Sequence, residues 1–165
     1  EECREAIEFA ESIGFSDAPI NTSFGPLLRP DIRNNQRVIV DDEDRAEKLF
    51  RRAGDYLPKV QGDWHLAGIN ERLRFYRYDP GQQFEWHRDG YFERANRERS
   101  RMTFMIYLNE DFEGGQTSFE GSVIQPRQGM ALFFEHQLLH KGEPVTSGRK
   151  YVLRTDVMFR PSASR

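Results

Sequence analysis

The spacing of apolar residues changes at Leu73, and this change constrains the fold more than any other feature of the chain. Before it, residues 3–13 and 41–56 carry apolar residues at near-helical spacing. After it, apolar and polar residues alternate in short runs separated by Gly, Pro, Asn or Asp, which is typical of strands. The predicted strands are 73–78, 82–88, 101–109, 116–119, 122–125, 129–135 and 150–159, preceded by a short strand at Val38–Val40. This order indicates a mainly β fold with N-terminal helices, a double-sheet jelly roll backed by helices.

Length and composition narrow the class of protein. The 165 residues fit one domain, with helical support at about 1–60 and a β core at about 73–160. The net charge of −3 shows no basic excess, so we expect neither a nucleic-acid partner nor an anionic membrane. No run approaches the ~20 apolar residues of a membrane span. Cys3, the only cysteine, favours a reducing, cytoplasmic location. The sequence begins inside a predicted helix, which leaves room for an upstream segment.

A metal-ligand pattern follows the first long strand of the predicted sheet. His87 and Asp89 are separated by one residue, where Phe84 and Trp86 favour a strand and Asp79-Pro80-Gly81 predicts a turn. On a strand, residues i and i+2 point to the same face about 6.6 Å apart, so both side chains can reach one metal ion. Two histidines and one carboxylate form the facial triad that binds iron(II) and leaves coordination positions open.

The third ligand is one of the remaining histidines, His65, His136 or His140. His65 lies before the predicted sheet, where a structural histidine is the simpler interpretation. The other two lie in HQLLH, which is similar to the HExxH helix of zinc proteases. However, Gln137 replaces the catalytic glutamate and the preceding GMALFF indicates a strand. We favour His140 because of the segment that follows it.

That segment, HKGEPVTSGRKYVLRTDVMF, contains turn residues and then a final strand that opens with Arg149 and Lys150. A dicarboxylate co-substrate that chelates iron at one end needs a fixed cation for its other carboxylate. A basic residue shortly after the distal histidine meets this need. Strand alternation puts Lys150 and Arg154 on one face, where they can share a pocket.

Five segments together resemble the catalytic domain of the prolyl 4-hydroxylase-like iron(II) and 2-oxoglutarate-dependent dioxygenases. In chain order they are YDPGQQFEWHRD, TFMIYLN, FEGGQTSF, PRQGMALFF and HKGEPVTSGRKYVLRTDVMF, within residues 73–160. Agreement in order and spacing makes this resemblance specific. It implies a double-stranded β-helix with iron(II) on His87, Asp89 and His140. It also implies 2-oxoglutarate and O₂ as co-substrates and allows ascorbate as a further cofactor.

The resemblance also assigns residues to 2-oxoglutarate. Lys150, ten residues after the distal histidine, would hold the far carboxylate. Some relatives place an arginine nine residues after that histidine, here Arg149, but the face shared with Arg154 favours Lys150. Tyr107 matches a hydroxyl donor to 2-oxoglutarate, and Tyr78 matches a second pocket tyrosine. We expect Arg154 to contact either 2-oxoglutarate or the substrate.

The implied reaction hydroxylates a C–H bond, first of all in a prolyl residue of a peptide or protein, and releases succinate and CO₂. A free amino acid or another small molecule is an alternative substrate, because the substrate loops of such folds diverge most. A non-catalytic metal-binding or partner-binding module is the alternative from another class. Two charged loops, around Arg33 and Arg37 and at residues 91–100, are either solvated or lie at the mouth of the site.

Overall fold

The computed structural model describes residues 1–162. Its helices are α1 (Glu2–Ile13) and α2 (Glu43–Ala53), and a 3₁₀ helix (Gly54–Tyr56) follows α2. The strands are β1 (Ser16–Asp17), β2 (Ile20–Thr22), β3 (Gly25–Leu27), β4 (Gln36–Asp41), β5 (Val60–Gln61), β6 (Trp64–Ile69), β7 (Arg72–Tyr78), β8 (Phe84–His87), β9 (Arg99–Tyr107), β10 (Phe112–Gly114), β11 (Thr117–Phe119), β12 (Ser122–Ile124), β13 (Ala131–Glu135), β14 (His140–Gly142), β15 (Val145–Gly148) and β16 (Lys150–Pro161).

Both predicted helices are present, and their ends follow from capping. The α2 helix begins after Asp42, whose carboxylate accepts a hydrogen bond from the Arg45 amide at 2.9 Å. Its regular part stops at Ala53, earlier than predicted, because the chain tightens into the 3₁₀ helix ahead of Pro58. Among the described residues, no helix is both long and apolar enough to cross a bilayer.

The larger sheet is built around β16, which pairs with three other strands. Its first half pairs with β7, its second half pairs with β6, and β9 runs along its opposite edge. Strands β4 and β1 extend the sheet beyond β7, β5 lies beyond β6, and β13 lies beyond β9. All these pairs are antiparallel. A strand in this position fixes the register of most of the sheet.

A smaller sheet in the order β12-β11-β14-β8 completes the pocket. The β14–β8 pairing places His140 directly opposite His87. Residues from both sheets line one pocket, and two short ribbons, β2–β3 and β10–β15, accompany them. This arrangement confirms the predicted mainly β fold, a double-stranded β-helix with N-terminal helices.

The two faces of β16 have different roles. Leu153, Val157 and Phe159 point outward and pack in apolar clusters that include α1 and α2 side chains. Fully burying a large apolar side chain stabilises the fold by about 1.5–3 kcal/mol, so this face attaches the helices to the sheet. Lys150 and Arg154 point the other way, into the pocket between the sheets.

The sequence analysis predicted no strand between Val40 and residue 73, and this is wrong. Strand β6 precedes that residue and pairs with the end of β16, so that His65 lies opposite Arg160 and outside the pocket. The short predicted strand at Val38–Val40 is present and extends over all of β4. Ala67 and Gly68 interrupt the apolar alternation of β6, its neighbouring partner β5 has only two residues, and its longer partner β16 is distant in sequence. Local pattern therefore gave no indication of it.

Three further features differ from the prediction. Strand β8 ends at His87, so Asp89 follows the strand rather than lying on it. The turn Asp79–Gly81 is present, but the strands it connects enter different sheets and do not form a hairpin. The region predicted as turns after His140 contains strands β14 and β15. Their partners, β8 and β11 for β14 and β10 for β15, lie far away in sequence, so turn residues alone were a poor guide.

Candidate active site

Three potential metal ligands converge at the meeting point of β8 and β14. Donor atoms of His87, Asp89 and His140 all lie within 4.8 Å of one another. The Asp89 carboxylate lies between the imidazoles, with Oδ1 3.7 Å from His87 Nε2 and Oδ2 3.6 Å from His140 Nε2. The sequence predicted these three residues as the ligands, and the structure brings them together.

The imidazoles are oriented for metal binding by backbone carbonyls. His87 Nδ1 lies 2.6 Å from the Glu85 carbonyl oxygen, and His140 Nδ1 lies 2.9 Å from that of Leu138. Because a carbonyl only accepts, each Nδ1 carries the proton and each Nε2 lone pair faces Asp89. Burial, reinforced by the neighbouring His140, lowers the pKa of His87 to about 4. His87 is therefore neutral at physiological pH, as a metal ligand must be.

Asp89 is held in place although it lies beyond the strand. Its amide donates to the His136 carbonyl at 3.0 Å, and its Oδ2 accepts a hydrogen bond from the Thr103 hydroxyl. Arg154 Nη2 lies 3.3 Å from the same oxygen. Burial alone would raise the pKa of Asp89, but Arg154 and the two histidines outweigh burial and hold this pKa well below its usual range. The donor set of two imidazoles and one carboxylate fits iron(II).

A buried polar network lies behind Asp89. Arg154 Nη2 is 3.1 Å from Asp156 Oδ1, and Arg74 Nη1 donates to Asp156 Oδ2 at 3.2 Å. Asp156 is 2% exposed, so each charge in this network depends on its neighbours for compensation. Arg154 therefore contacts a proposed metal ligand, a position that the sequence did not reveal.

His136, the rival third ligand, is buried but points elsewhere. Its Nδ1 lies 3.0 Å from the Thr103 hydroxyl and its Nε2 lies 2.9 Å from the Ser100 hydroxyl. Both ring nitrogens are therefore occupied by hydroxyl groups. Its structural contribution is to position Thr103 and, through its carbonyl, the amide of Asp89.

Lys150 lines the same pocket as the three ligands and is 3% exposed. Its Nζ donates to the Gly115 carbonyl at 2.6 Å and lies 5.1 Å from the Tyr78 ring and 5.5 Å from the Tyr107 ring. Burial lowers the pKa of Lys150 to about 7. The hydroxyl groups of Tyr107 and Thr117 are hydrogen-bonded to each other beside it. This group of polar donors is suited to the carboxylate of an acidic ligand.

The FEGGQ segment needs both of its glycines to form this part of the pocket. Gly114 has φ 73°, and a Cβ there would lie 2.3 Å from the Pro144 carbonyl oxygen. At Gly115, a Cβ would lie 3.1 Å from Lys150 Cδ. A side chain at either position would displace backbone or the buried lysine.

Comparison with known proteins identifies the family. Residues 73–155 match the sequence model of the 2OG-Fe(II) oxygenase superfamily. The chain belongs to this superfamily. Membership implies iron(II), 2-oxoglutarate and O₂ as the cofactor and co-substrates, and the His-Asp-His cluster agrees with it.

Relatives of this oxygenase include proteins named as prolyl 4-hydroxylases. A putative prolyl 4-hydroxylase of Acanthamoeba polyphaga mimivirus is 32% identical over 91% of this chain and 66% of that protein. A probable prolyl 4-hydroxylase 3 of Arabidopsis thaliana is 28% identical over 82% of this chain and 53% of that protein. The chain thus spans about half to two thirds of the length of these curated relatives.

Solved structures share the fold of this oxygenase. A viral collagen prolyl hydroxylase of Paramecium Bursaria Chlorella virus-1, in a 2OG complex, has a TM-score of 0.68 at 23% identity, covering 95% of this chain and 89% of that one. A Trichoplax adhaerens prolyl hydroxylase in complex with a hypoxia inducible factor peptide fragment has a TM-score of 0.69 at 18% identity, covering 95% and 78%.

The remaining predicted residues of the oxygenase lie in the pocket, on the surface or, for Arg33, in a buried position. Tyr78 lines the pocket, as predicted. Arg149 lies outside it and forms an ion pair with Asp79 at 2.5 Å on the surface. Arg33 is not solvated, since it is only 6% exposed. In the 91–100 loop, the Tyr91 side chain is largely exposed, and Arg99 Cζ lies over its ring at 4.3 Å from the centroid.

Several residues of the oxygenase site were missed by the sequence analysis. Thr103 and Asp156 are buried polar residues of β9 and β16, and each contacts a charged side chain. Their position on predicted strands was the available signal, because a buried carboxylate requires a cation and a strand neighbour is the nearest source. The stacking of Phe84 on His87, with ring centroids 3.5 Å apart, could not be inferred because it depends on the exact end of β8.

Proposed function

We propose that this chain is an iron(II)- and 2-oxoglutarate-dependent dioxygenase that hydroxylates a prolyl residue of a peptide or protein. One observation carries the proposal: three oriented metal ligands and a buried lysine line a single pocket. His87, Asp89 and His140 would hold iron(II). Lys150 would hold the far carboxylate of 2-oxoglutarate, with Tyr107 and Tyr78 beside it.

The chain's own residues bind, orient and protect the reacting groups. Bound iron(II), together with 2-oxoglutarate and O₂, supplies the oxidising chemistry, which converts a C–H bond to an alcohol and leaves succinate and CO₂. The Glu85 and Leu138 carbonyls fix both imidazoles, and Arg154 with Thr103 fixes Asp89. Phe84 and Phe134 cover the histidines and limit access of water. No side-chain nucleophile is required.

A prolyl substrate is supported by the printed names of the relatives. The mimivirus and Arabidopsis proteins are named as prolyl 4-hydroxylases, and the Trichoplax structure contains a peptide fragment. We extend this substrate class to the present chain. We also propose that residues 1–165 act as one domain, because both helices pack on the sheet that contributes Lys150. A cytoplasmic location and a requirement for ascorbate remain predictions.

Succinate release with oxygen incorporation tests the proposal. Protein reconstituted with iron(II) should release succinate when given 2-oxoglutarate and proline-containing peptides, and mass spectrometry should show one added oxygen on proline. Arg52→Gln is a matched control, since Arg52 is an exposed α2 residue paired with Glu2. Oxygen gained only on free proline would favour the small-molecule alternative. A protein that binds iron(II) but releases no succinate under any condition would support a non-catalytic module.

A further inference from the structure

Arg33 is a buried cation without an acidic partner among the residues that the structure describes. It precedes β4, forms an isolated β-bridge with Phe84 and is 6% exposed. Within residues 1–162, none of the ion pairs includes Arg33. A buried guanidinium usually has a carboxylate or comparable anion as its partner. Because the described residues supply none, an anionic ligand can take this place.

The guanidinium of Arg33 has one buried donor without a hydrogen-bond partner among the described residues. The Tyr76 and Phe84 rings each lie 4.5 Å from Arg33 Cζ, so aromatic rings stabilise the cation. The N–H groups lie in the guanidinium plane and need acceptors at its edge. Nε donates to Asn35 Oδ1 at 2.7 Å, whereas Nη2 is buried with no hydrogen-bond partner. The side chain is held in place with an unused donor.

A second cation without an acid lies next to it. Arg37 on β4 is the register partner of Tyr76 on β7, so their side chains share a face of the sheet. Burial and the neighbouring charges of Arg33 and Arg74 lower the pKa of Arg37. This is the response expected of a cation surrounded by like charges. Among the described residues, Arg37 also forms no ion pair.

Two other arginines nearby differ from Arg33 and Arg37, because their acidic partners lie within the protein. Arg74 has Asp156, and Arg154 has both Asp156 and Asp89. Among these arginines, the ones left without an acid are therefore Arg33 and Arg37. Tyr76 and Phe84, which contact Arg33, line the metal pocket. An anion bound at the two arginines would lie beside that pocket.

2-Oxoglutarate does not account for this anion. In the proposed function its near carboxylate binds iron and its far carboxylate binds Lys150, so both of its charges already have partners. A third carboxylate must come from the molecule being oxidised.

We propose that Arg33 and Arg37 bind a carboxylate of the substrate, so that the preferred substrates are acidic peptides. This proposal rests on the proposed function and specifies its substrate class. The carboxylate is that of an aspartate or glutamate near the target residue, or the free α-carboxylate of a peptide that ends there. Peptides without such a group should be poor substrates.

Matched peptides test this preference. The probes are acetylated, amidated nonapeptides with a central proline, carrying one glutamate or one glutamine at each position within two residues of it. A second set replaces the terminal amide with a free carboxylate. We expect kcat/KM for the best glutamate or free-carboxylate peptide to exceed that of its neutral counterpart by about tenfold or more, as for loss of one charged hydrogen bond. Comparison of the two sets distinguishes the side-chain from the α-carboxylate.

Variants assign the preference to the two arginines. Arg37→Gln should abolish most of the advantage of the acidic peptide while leaving KM for 2-oxoglutarate unchanged, and Arg37→Glu should reverse it. Arg33→Lys keeps the charge but loses the planar fork, and should weaken acidic peptides more than neutral ones. Arg52→Gln should retain the full preference.

A binding measurement separates this proposal from the proposed function. Fluorescence polarisation with zinc-loaded protein and 2-oxoglutarate reports peptide binding without turnover. Tighter binding of acidic peptides, lost in Arg37→Gln, would support the carboxylate site even if no peptide were hydroxylated. Equal binding of acidic and neutral peptides, or no binding of either, would overturn it. A rise in KM for 2-oxoglutarate in Arg37→Gln would overturn it as well, because the pair would then serve the co-substrate.

Discussion

The pocket side of the larger sheet contains two kinds of buried cation. Arg74 and Arg154 are matched by Asp156 and Asp89. Among the described residues, Lys150 has only a carbonyl oxygen as a hydrogen-bond acceptor, and burial lowers its pKa to about 7. The paired cations have their counter-charges within the protein, whereas the unpaired lysine depends on a ligand for its counter-charge. Paired charges should therefore contribute to stability and unpaired charges to binding.

Loss of a metal ligand should have the largest effect. His87→Ala, Asp89→Ala and His140→Ala should each lower turnover by more than a hundredfold, since loss of an outer partner alone costs about 10–100-fold. Succinate release and iron content of the purified variants check this expectation. His65→Ala is the control, because His65 lies on β6 outside the pocket and should retain activity. Turnover that survives in His140→Ala but fails in His136→Ala would show that the third ligand is misassigned.

Removal of the shared acid should test the paired cations. Asp156→Asn leaves Arg74 and Arg154 buried with less compensation and should lower the free energy of unfolding by about 3–5 kcal/mol. Denaturant unfolding measures the change. Asp41→Asn is the matched control: it breaks an exposed pair with Arg72 and should cost about 1 kcal/mol or less. Equal losses in the two variants would contradict the distinction between buried and exposed pairs.

Lys150→Met should weaken 2-oxoglutarate binding without lowering stability, the opposite of what is expected for Asp156→Asn. Removal of the unpaired cation should raise KM for 2-oxoglutarate by on the order of a hundredfold, or about 3 kcal/mol, because the far carboxylate loses its partner. The free energy of unfolding should stay the same or rise, since an apolar side chain replaces a desolvated charge. Arg149→Gln should leave KM unchanged. A large loss of stability in Lys150→Met would mean that Lys150 belongs with the structural cations.

The pH dependence of 2-oxoglutarate binding should provide the finest test. Burial lowers the pKa of Lys150 to about 7, so the free protein loses this proton as pH rises through that value. Because a carboxylate binds the charged form, affinity for 2-oxoglutarate should be full below pH 7 and fall by up to about tenfold per unit above it. Titration of binding between pH 6 and 9 measures this slope. Lys150→Arg stays charged and should bind with little pH dependence.

Sequence analysis predicted the fold and the central residues because their signals are local. The His87 and Asp89 spacing, the alternation along β16 and the helical spacing of apolar residues each depend on residues close in sequence. Strand β6 and the exact end of β8 were not predicted, since pairing with distant strands determines them. The sequence left open whether Arg33 is solvated or lies at the mouth of the site, and only the structure shows that it is buried. Its burial depends on rings from two strands that follow it in the chain.

The position of β16 in the sheet has a consequence for the folding of the chain. This strand follows β6, β7 and β9 in sequence, yet it lies between them and pairs with all three. Until β16 is synthesised, those strands expose edges that it later covers, and such edges promote aggregation. Most contacts of the sheet are therefore non-local, which favours slow folding. We expect nascent chains that stop before Lys150 to depend on chaperones, while complete chains close the sheet and the co-substrate pocket in the same step.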